Sequence, residues 1–92
     1  MLSIEYSARM KRDVKLMEKR GKDMRKLTVV LALLASQEPL PSTYHDHPLH
    51  GKLKGTRGCH IEPDWLLLYV LHDEVLVLTA TATGSHADLL GI

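Results

Sequence analysis

Seven apolar residues in succession, Trp65-Leu-Leu-Leu-Tyr-Val-Leu71, lie between two turn signals, Glu62-Pro63-Asp64 and His72-Asp73-Glu74. The run is too short for a membrane helix, which needs about 20 residues. Bounded so tightly, it reads as a central strand covered on both faces. A strand of that kind requires strands beside it and a layer packed on it. Residues 56–61 supply one candidate neighbour. Val75 to Thr83, rich in Val and Thr, supplies another, ended by Gly84. Three consecutive strands joined by tight turns pair antiparallel.

The covering layer comes from the first third of the chain. Residues 2–6 alternate apolar and polar as a short strand does, and Ser7 then caps a helix with Met10, Val14 and Met17 on one face. Gly21 stands where a helix C-terminal glycine belongs, after Lys19 and Arg20. A second helix starts near Asp23, with Met24, Leu27, Val30/Leu31 and Leu34 as its apolar stripe, and the prolines at 39 and 41 close it. Residues 37–51 form a loop, and Ser85 to Leu90 a single helical turn or tail. The expected fold is α+β, in the order β-α-α-β-β-β with a short C-terminal tail. A helical hairpin packs on a small antiparallel sheet, and 92 residues suit one domain spanning 1–92.

Charge is unevenly spread. Residues 1–27 carry nine of the twelve Lys/Arg residues and four acids, a net of +5, whereas the remainder carries −4. A basic helical segment on an otherwise acidic chain suits contact with a polyanion such as RNA, with a solvated helix face as the plainer explanation. The single cysteine, Cys59, excludes an internal disulfide framework and fits a reducing compartment. The longest apolar run ahead of the strands, Val29 to Ala35, spans seven residues, and the charged segment before it does not resemble a secretory leader. The expected setting is the cytoplasm, with no membrane partner.

All six histidines, His45, His47, His50, His60, His72 and His86, fall in loops or near strand ends. Three explanations compete. His45-x-His47-x-x-His50 could hold a metal with Asp46, Asp64 or Cys59, although the spacing fits no standard ligand pattern. Exposed loop histidines could titrate without consequence. Histidines spread over separate elements, with a carboxylate nearby, could also perform acid–base chemistry with no metal.

Three blocks in the second half carry a resemblance: Tyr44-x-Asp46-His47-Pro48-Leu49-x-Gly51, Arg57-x-x-His60-x-Glu62-Pro63-Asp64-Trp65-x-Leu67-x-Tyr69, and Thr83-Gly84-Ser85-His86-x-Asp88-Leu89. Ile4-Glu5-Tyr6-Ser7, Lys11-x-Asp13-Val14-Lys15-Leu16 and Lys19-Arg20-x-Lys22-Asp23-Met24-x-Lys26-Leu27 agree with it in the first half. Together they resemble the YafQ-like branch of the RelE superfamily of type II toxin–antitoxin toxins, over essentially the whole chain. The resemblance implies a ribosome-dependent mRNA endonuclease that cuts the codon in the ribosomal A site. The ribose 2′-OH attacks the adjacent phosphate, and no metal or other cofactor takes part.

By residue match, the catalytic positions are His47, His60, Asp64 and His86, and Trp65 would stack on an RNA base. Leu90, an expected apolar contact to the RNA, stands where relatives carry an aromatic residue, and Ala82 where many carry an arginine. Arg57 or Lys54 could replace that missing charge on the RNA. Lys15, Lys19 and Lys22 of the basic segment are the expected ribosome-docking residues. The implied partners are a cognate antitoxin, the ribosome with its mRNA, and operator DNA through the antitoxin alone. Ala82 and Leu90 keep a second reading open, a catalytically attenuated toxin-like protein that acts mainly as an antitoxin-binding co-repressor. A small metal-binding module on the His45–His50 loop is the third.

Overall fold

The computed structural model describes residues 1–91. Strand β1 (Ser3–Tyr6) leads into helices α1 (Ala8–Lys19) and α2 (Met24–Ala35). Strands β2 (His47–Pro48), β3 (Arg57–Glu62), β4 (Trp65–His72) and β5 (Val77–Gly84) follow, and a single-turn helix α3 (His86–Leu90) closes the order. One five-stranded sheet results, in the spatial order β1-β5-β4-β3-β2.

Local signals act where the sequence puts them. The Ser7 hydroxyl accepts from the Met10 amide, Asp23 caps α2 by accepting from the Arg25 amide, and Gly21 turns the chain at φ 82°. Strands β3, β4 and β5 pair antiparallel, as expected of consecutive strands. β1 departs from that arrangement. The two helices carry the chain across the sheet, so β1 lies parallel to β5 at one edge, Ser3 opposite Val77 and Tyr6 opposite Ala80. At the other edge the expected loop contains a two-residue strand, with His47 opposite Gly58.

The strand period sorts the sheet into two faces. Trp65, Leu67 and Tyr69 of β4 point to the helices, joined by Cys59, Ile61, Leu78 and Ala80. They pack against Met10, Met17, Leu27, Val30, Leu31 and Leu34. Leu66 and Leu68 point the other way and are also buried, so β4 is covered on both faces as its apolar run requires. Between Tyr69–Ala80 and Leu68–Ala82 the register shifts and Thr81 is the extra residue. The Ser7 hydroxyl donates to its carbonyl at 2.7 Å, tying the start of α1 to this bulge.

Candidate active site

The face of the sheet away from the helices carries a cleft of about 110 Å³. It is lined by His47, Leu49, Gly58, Cys59, His60, Leu66, Leu68, His86 and Leu90. Three separate segments bring its histidines together. His60 stands on β3 opposite Leu66. His47 is held by β2 and by Leu49, whose amide donates to the Thr56 carbonyl at 2.9 Å. Leu49 lies flat on the sheet because Gly58 has no side chain: a Cβ there would come within 3.3 Å of Leu68 and 3.4 Å of Leu49. His86 opens α3, for which Ser85 and Asp88 form a reciprocal capping box.

His60 is the centre of the cluster. Its Nε2 lies 3.4 Å from His86 Nε2, and its ring is 5.3 Å from that of His86, 5.4 Å from His45 and 6.5 Å from His47, centroid to centroid. Burial, followed by the neighbouring imidazoles of His86, His45 and His47, lowers its pKa below the usual 6.5. The Tyr44 backbone opposes the shift. That opposition is weak, because His60 Nδ1 is buried and makes no hydrogen bond of acceptable geometry.

The other end of the His86 ring meets a carboxylate. His86 Nδ1 is 2.6 Å from Asp64 Oδ1, which also accepts from the His86 amide at 2.9 Å. These two bonds, the amide first, hold the Asp64 carboxyl below its ordinary range. With Nδ1–H donated to Asp64, Nε2 of His86 faces His60 as the proton-exchanging atom. His47 is oriented in the same way, its Nδ1 2.6 Å from the His45 carbonyl. A second, larger cleft of about 440 Å³ lies beside His60, lined by Thr43, His45, Glu62 and Pro63.

His47, His60, Asp64, His86 and Leu90 thus meet in one place. His45 joins them, a residue that sequence reasoning set aside as harmless or metal-binding. Its only signal was its position two residues before His47. Trp65 requires a correction. It is fully buried, faces the helices, and donates its indole N–H to Thr83 Oγ1 at 2.9 Å. It has no free face for a base. Arg57 also lies off the cleft, on the side of Tyr69. It pairs with Asp46 at 3.3 Å, and Asp46 in turn accepts from the Tyr69 hydroxyl. That cluster fixes the residue between His45 and His47. Lys54 is exposed just after the turn Gly51–Leu53. Lys15 and Lys19 are exposed on α1, whereas Lys22 is engaged by Glu62 at 2.8 Å and sits 6.0 Å from the Trp65 ring. Burial pushes the Cys59 thiol up to about 12, which leaves it a core residue rather than a nucleophile.

Among the described residues, no group of three or more His, Cys, Asp or Glu side chains is arranged to hold a metal ion, the His45–His50 loop included. No described helix is long and apolar enough to cross a membrane.

A small sheet backed by two helices is the fold this chain shares with a class of small bacterial toxins. Residues 2–91 match the family described as "Bacterial toxin of type II toxin-antitoxin system, YafQ". The chain belongs to this YafQ family. It is 51% identical over 89 residues to the mRNA interferase toxin YafQ of Escherichia coli K12, covering 96% of this chain and 95% of that protein. It superposes on YafQ in the crystal structure of the E. coli DinJ–YafQ complex with a TM-score of 0.89 and 48% identity, covering 99% and 100% of the two chains. A metal-bound toxin from Helicobacter pylori is similar at a TM-score of 0.91 and 42% identity, covering 97% and 99%.

Proposed function

We propose that this chain is a ribosome-dependent mRNA endonuclease, a toxin that inhibits translation until a cognate antitoxin binds it. The observation that carries the reading is the line Asp64–His86–His60: a carboxylate behind one imidazole and a second, neutral-leaning imidazole in front. His60, disposed to be uncharged at neutral pH, takes the proton of the ribose 2′-OH. The freed oxygen attacks the adjacent phosphorus, the bond to the 5′-oxygen breaks, and protonated His86 hands its Nε2 proton to that oxygen. The products are a cyclic 2′,3′-phosphate and a 5′-OH. Asp64 keeps His86 oriented, and His47 lies at the cleft to hold the phosphate. Nitrogens 3.4 Å apart leave no room for a phosphate between them, so substrate must part His60 and His86.

The same reading makes the exposed cations of α1, Lys15 and Lys19 among them, the face that meets ribosomal RNA. Operator DNA is reached through the antitoxin, and the reaction runs in the cytoplasm without a bound metal. The K12 relative named an mRNA interferase toxin and the DinJ–YafQ complex support the substrate and the partner.

One observation favours an attenuated enzyme that acts mainly as co-repressor. Ala82, buried opposite Leu68, puts no cation on the cleft face, and Arg57 is committed to Asp46. Without a cation the transition-state charge falls to the imidazoles alone.

Cleavage of mRNA on programmed ribosomes, with magnesium held constant, tests both. Wild type should cut equally well with and without a chelator selective for zinc and copper, and His86→Gln should abolish cutting at an unchanged melting temperature. Loss of activity on chelation refutes the metal-free mechanism. A wild type that binds antitoxin but cuts nothing selects the co-repressor.

A further inference from the structure

We infer that Arg20, at the end of α1, is a positioning residue for His86, acting through Asp88. The inference rests on the proposed role of His86 and adds a residue that its chemistry does not itself name. By sequence, Arg20 is one of nine cations in the basic segment, available to a phosphate like the rest. In the folded chain it is committed elsewhere. Its guanidinium grips Asp88 with both nitrogens, Nη1 2.5 Å from Oδ2 and Nη2 3.3 Å from Oδ1, across 68 residues of sequence. A planar fork on a carboxylate fixes angle as well as distance, which a lysine could not do.

Asp88 is where that grip becomes useful. Its Oδ2 also accepts from the Ser85 amide at 2.9 Å, and its own amide donates to the Ser85 hydroxyl at 3.1 Å. The side chain lies so close to Gly84 that a Cβ there would sit 2.9 Å from the Asp88 Cβ and Oδ2. Arg9, about three turns earlier on the same side of α1, reaches the Asp88 carbonyl at 3.4 Å. Arg20 first, then the Ser85 amide, hold the Asp88 carboxyl far below its ordinary range, so it stays ionised at any working pH.

The need for such an anchor follows from the size of α3. A five-residue helix cannot hold itself together, since isolated helices below about 12–15 residues are marginal in water. Its first residue is His86, whose Nε2 must face His60. Asp64 fixes the ring from the β3–β4 turn, and Arg20–Asp88 fixes the helix axis from α1. With one end loose, the ring could still meet Asp64 while Nε2 swings away from the scissile bond. A displacement near 1 Å costs about 100-fold in rate.

The test uses the full chain in two ways. In the free protein, the His86 imidazole resonances report the ring's setting without any reaction. Arg20→Gln and Asp88→Asn should both broaden or shift them and leave those of His50 and His72 in place. In single-turnover cleavage on saturating ribosomes, each variant should slow the chemical step 10–100-fold at nearly unchanged ribosome affinity. The double variant should be no slower than the worse single one, because both changes break one contact. Arg20→Lys, which keeps charge without the fork, should fall between.

If Arg20 instead docks on RNA, Arg20→Gln weakens binding with the chemical step intact, and Asp88→Asn, by freeing the cation, tightens it. That result overturns the inference, as do multiplicative effects in the double variant or unmoved His86 resonances. A wild type that cuts no RNA would defeat the proposed activity and leave the resonance test standing.

Discussion

Replacing Trp65 with phenylalanine separates a core residue from an RNA-stacking one. The indole is fully buried and its N–H donates to Thr83 Oγ1 at 2.9 Å. Thr83 is not orphaned by the loss, since its hydroxyl still donates to the Leu66 carbonyl at 2.6 Å. The lost hydrogen bond is therefore worth the ordinary net value, about 1 kcal/mol. The phenyl ring also leaves part of the indole's volume empty beneath α1 and α2. Truncating a buried Trp to Ala costs about 3–5 kcal/mol, so the smaller step adds roughly 1–2. Trp65→Phe should thus lose about 2–3 kcal/mol in all, and at roughly 4–8 °C per kcal/mol for a chain of this size the melting temperature falls by roughly 8–24 °C.

No Trp65 atom lies in the cleft, so the cleavage rate at 15–20 °C below the variant's own midpoint should stay within about threefold of wild type, the scatter normal for a change remote from the chemistry. Circular dichroism melts and single-turnover cleavage measure the two quantities on one preparation. A phenyl ring would keep most of a stacking contact. The discriminating quantity is thus the melting temperature: an unchanged midpoint would show that the indole turns outward, and would refute the burial reasoning.

Two further outcomes are expected. Because burial and its neighbours lower the pKa of His60, the acid limb of the cleavage profile should lie below pH 6.5. The unfolded chain then binds the proton more tightly than the folded one, so stability is full above pH 6.5 and declines as pH falls below it. His60→Asn should remove that decline, and a decline that persists in the variant would assign it to another group. On the basic helix, Lys15→Glu with Lys19→Glu should weaken ribosome binding at least tenfold at low salt, flatten its salt dependence by about 1.5 in log–log slope, and hardly move the melting temperature. Lys22→Glu faces Glu62 and should lower the melting temperature as well, so unchanged binding in the Lys15/Lys19 pair would place the docking face elsewhere.

Most of the architecture was legible because it rests on local chemistry. Ser7, Gly21 and Asp23 each do at a helix end what their side chains or backbone allow anywhere, and the apolar run of β4 demanded cover on both faces. The direction of β1 was not legible, since alternation in residues 2–6 reads the same parallel or antiparallel, and only the α1–α2 crossover decides it. His45 and His47 were visible as loop residues, but their approach to His60 depends on the short β2 pairing and on the missing side chain of Gly58. Trp65 was misplaced for a specific reason. It follows Asp64, whose carboxylate faces the cleft, and one step along a strand reverses the side chain, so its neighbour's company predicts nothing about its own. Arg20, Lys22 and Arg57 looked free because their carboxylate partners lie 68, 40 and 11 residues away.

The parallel pairing of β1 with β5 has a consequence for the chain while it is being made. Ser3 finds its partner only when Val77 exists, and at synthesis rates of about 5–20 residues per second those two residues are born roughly 4–15 s apart. Through that interval β1 has no β5 to pair with. His86 is added later still, after β5. A chain interrupted before that point carries His47, His60 and Asp64 but lacks the imidazole proposed to donate the proton, so under the proposed mechanism an unfinished copy cannot complete a cut.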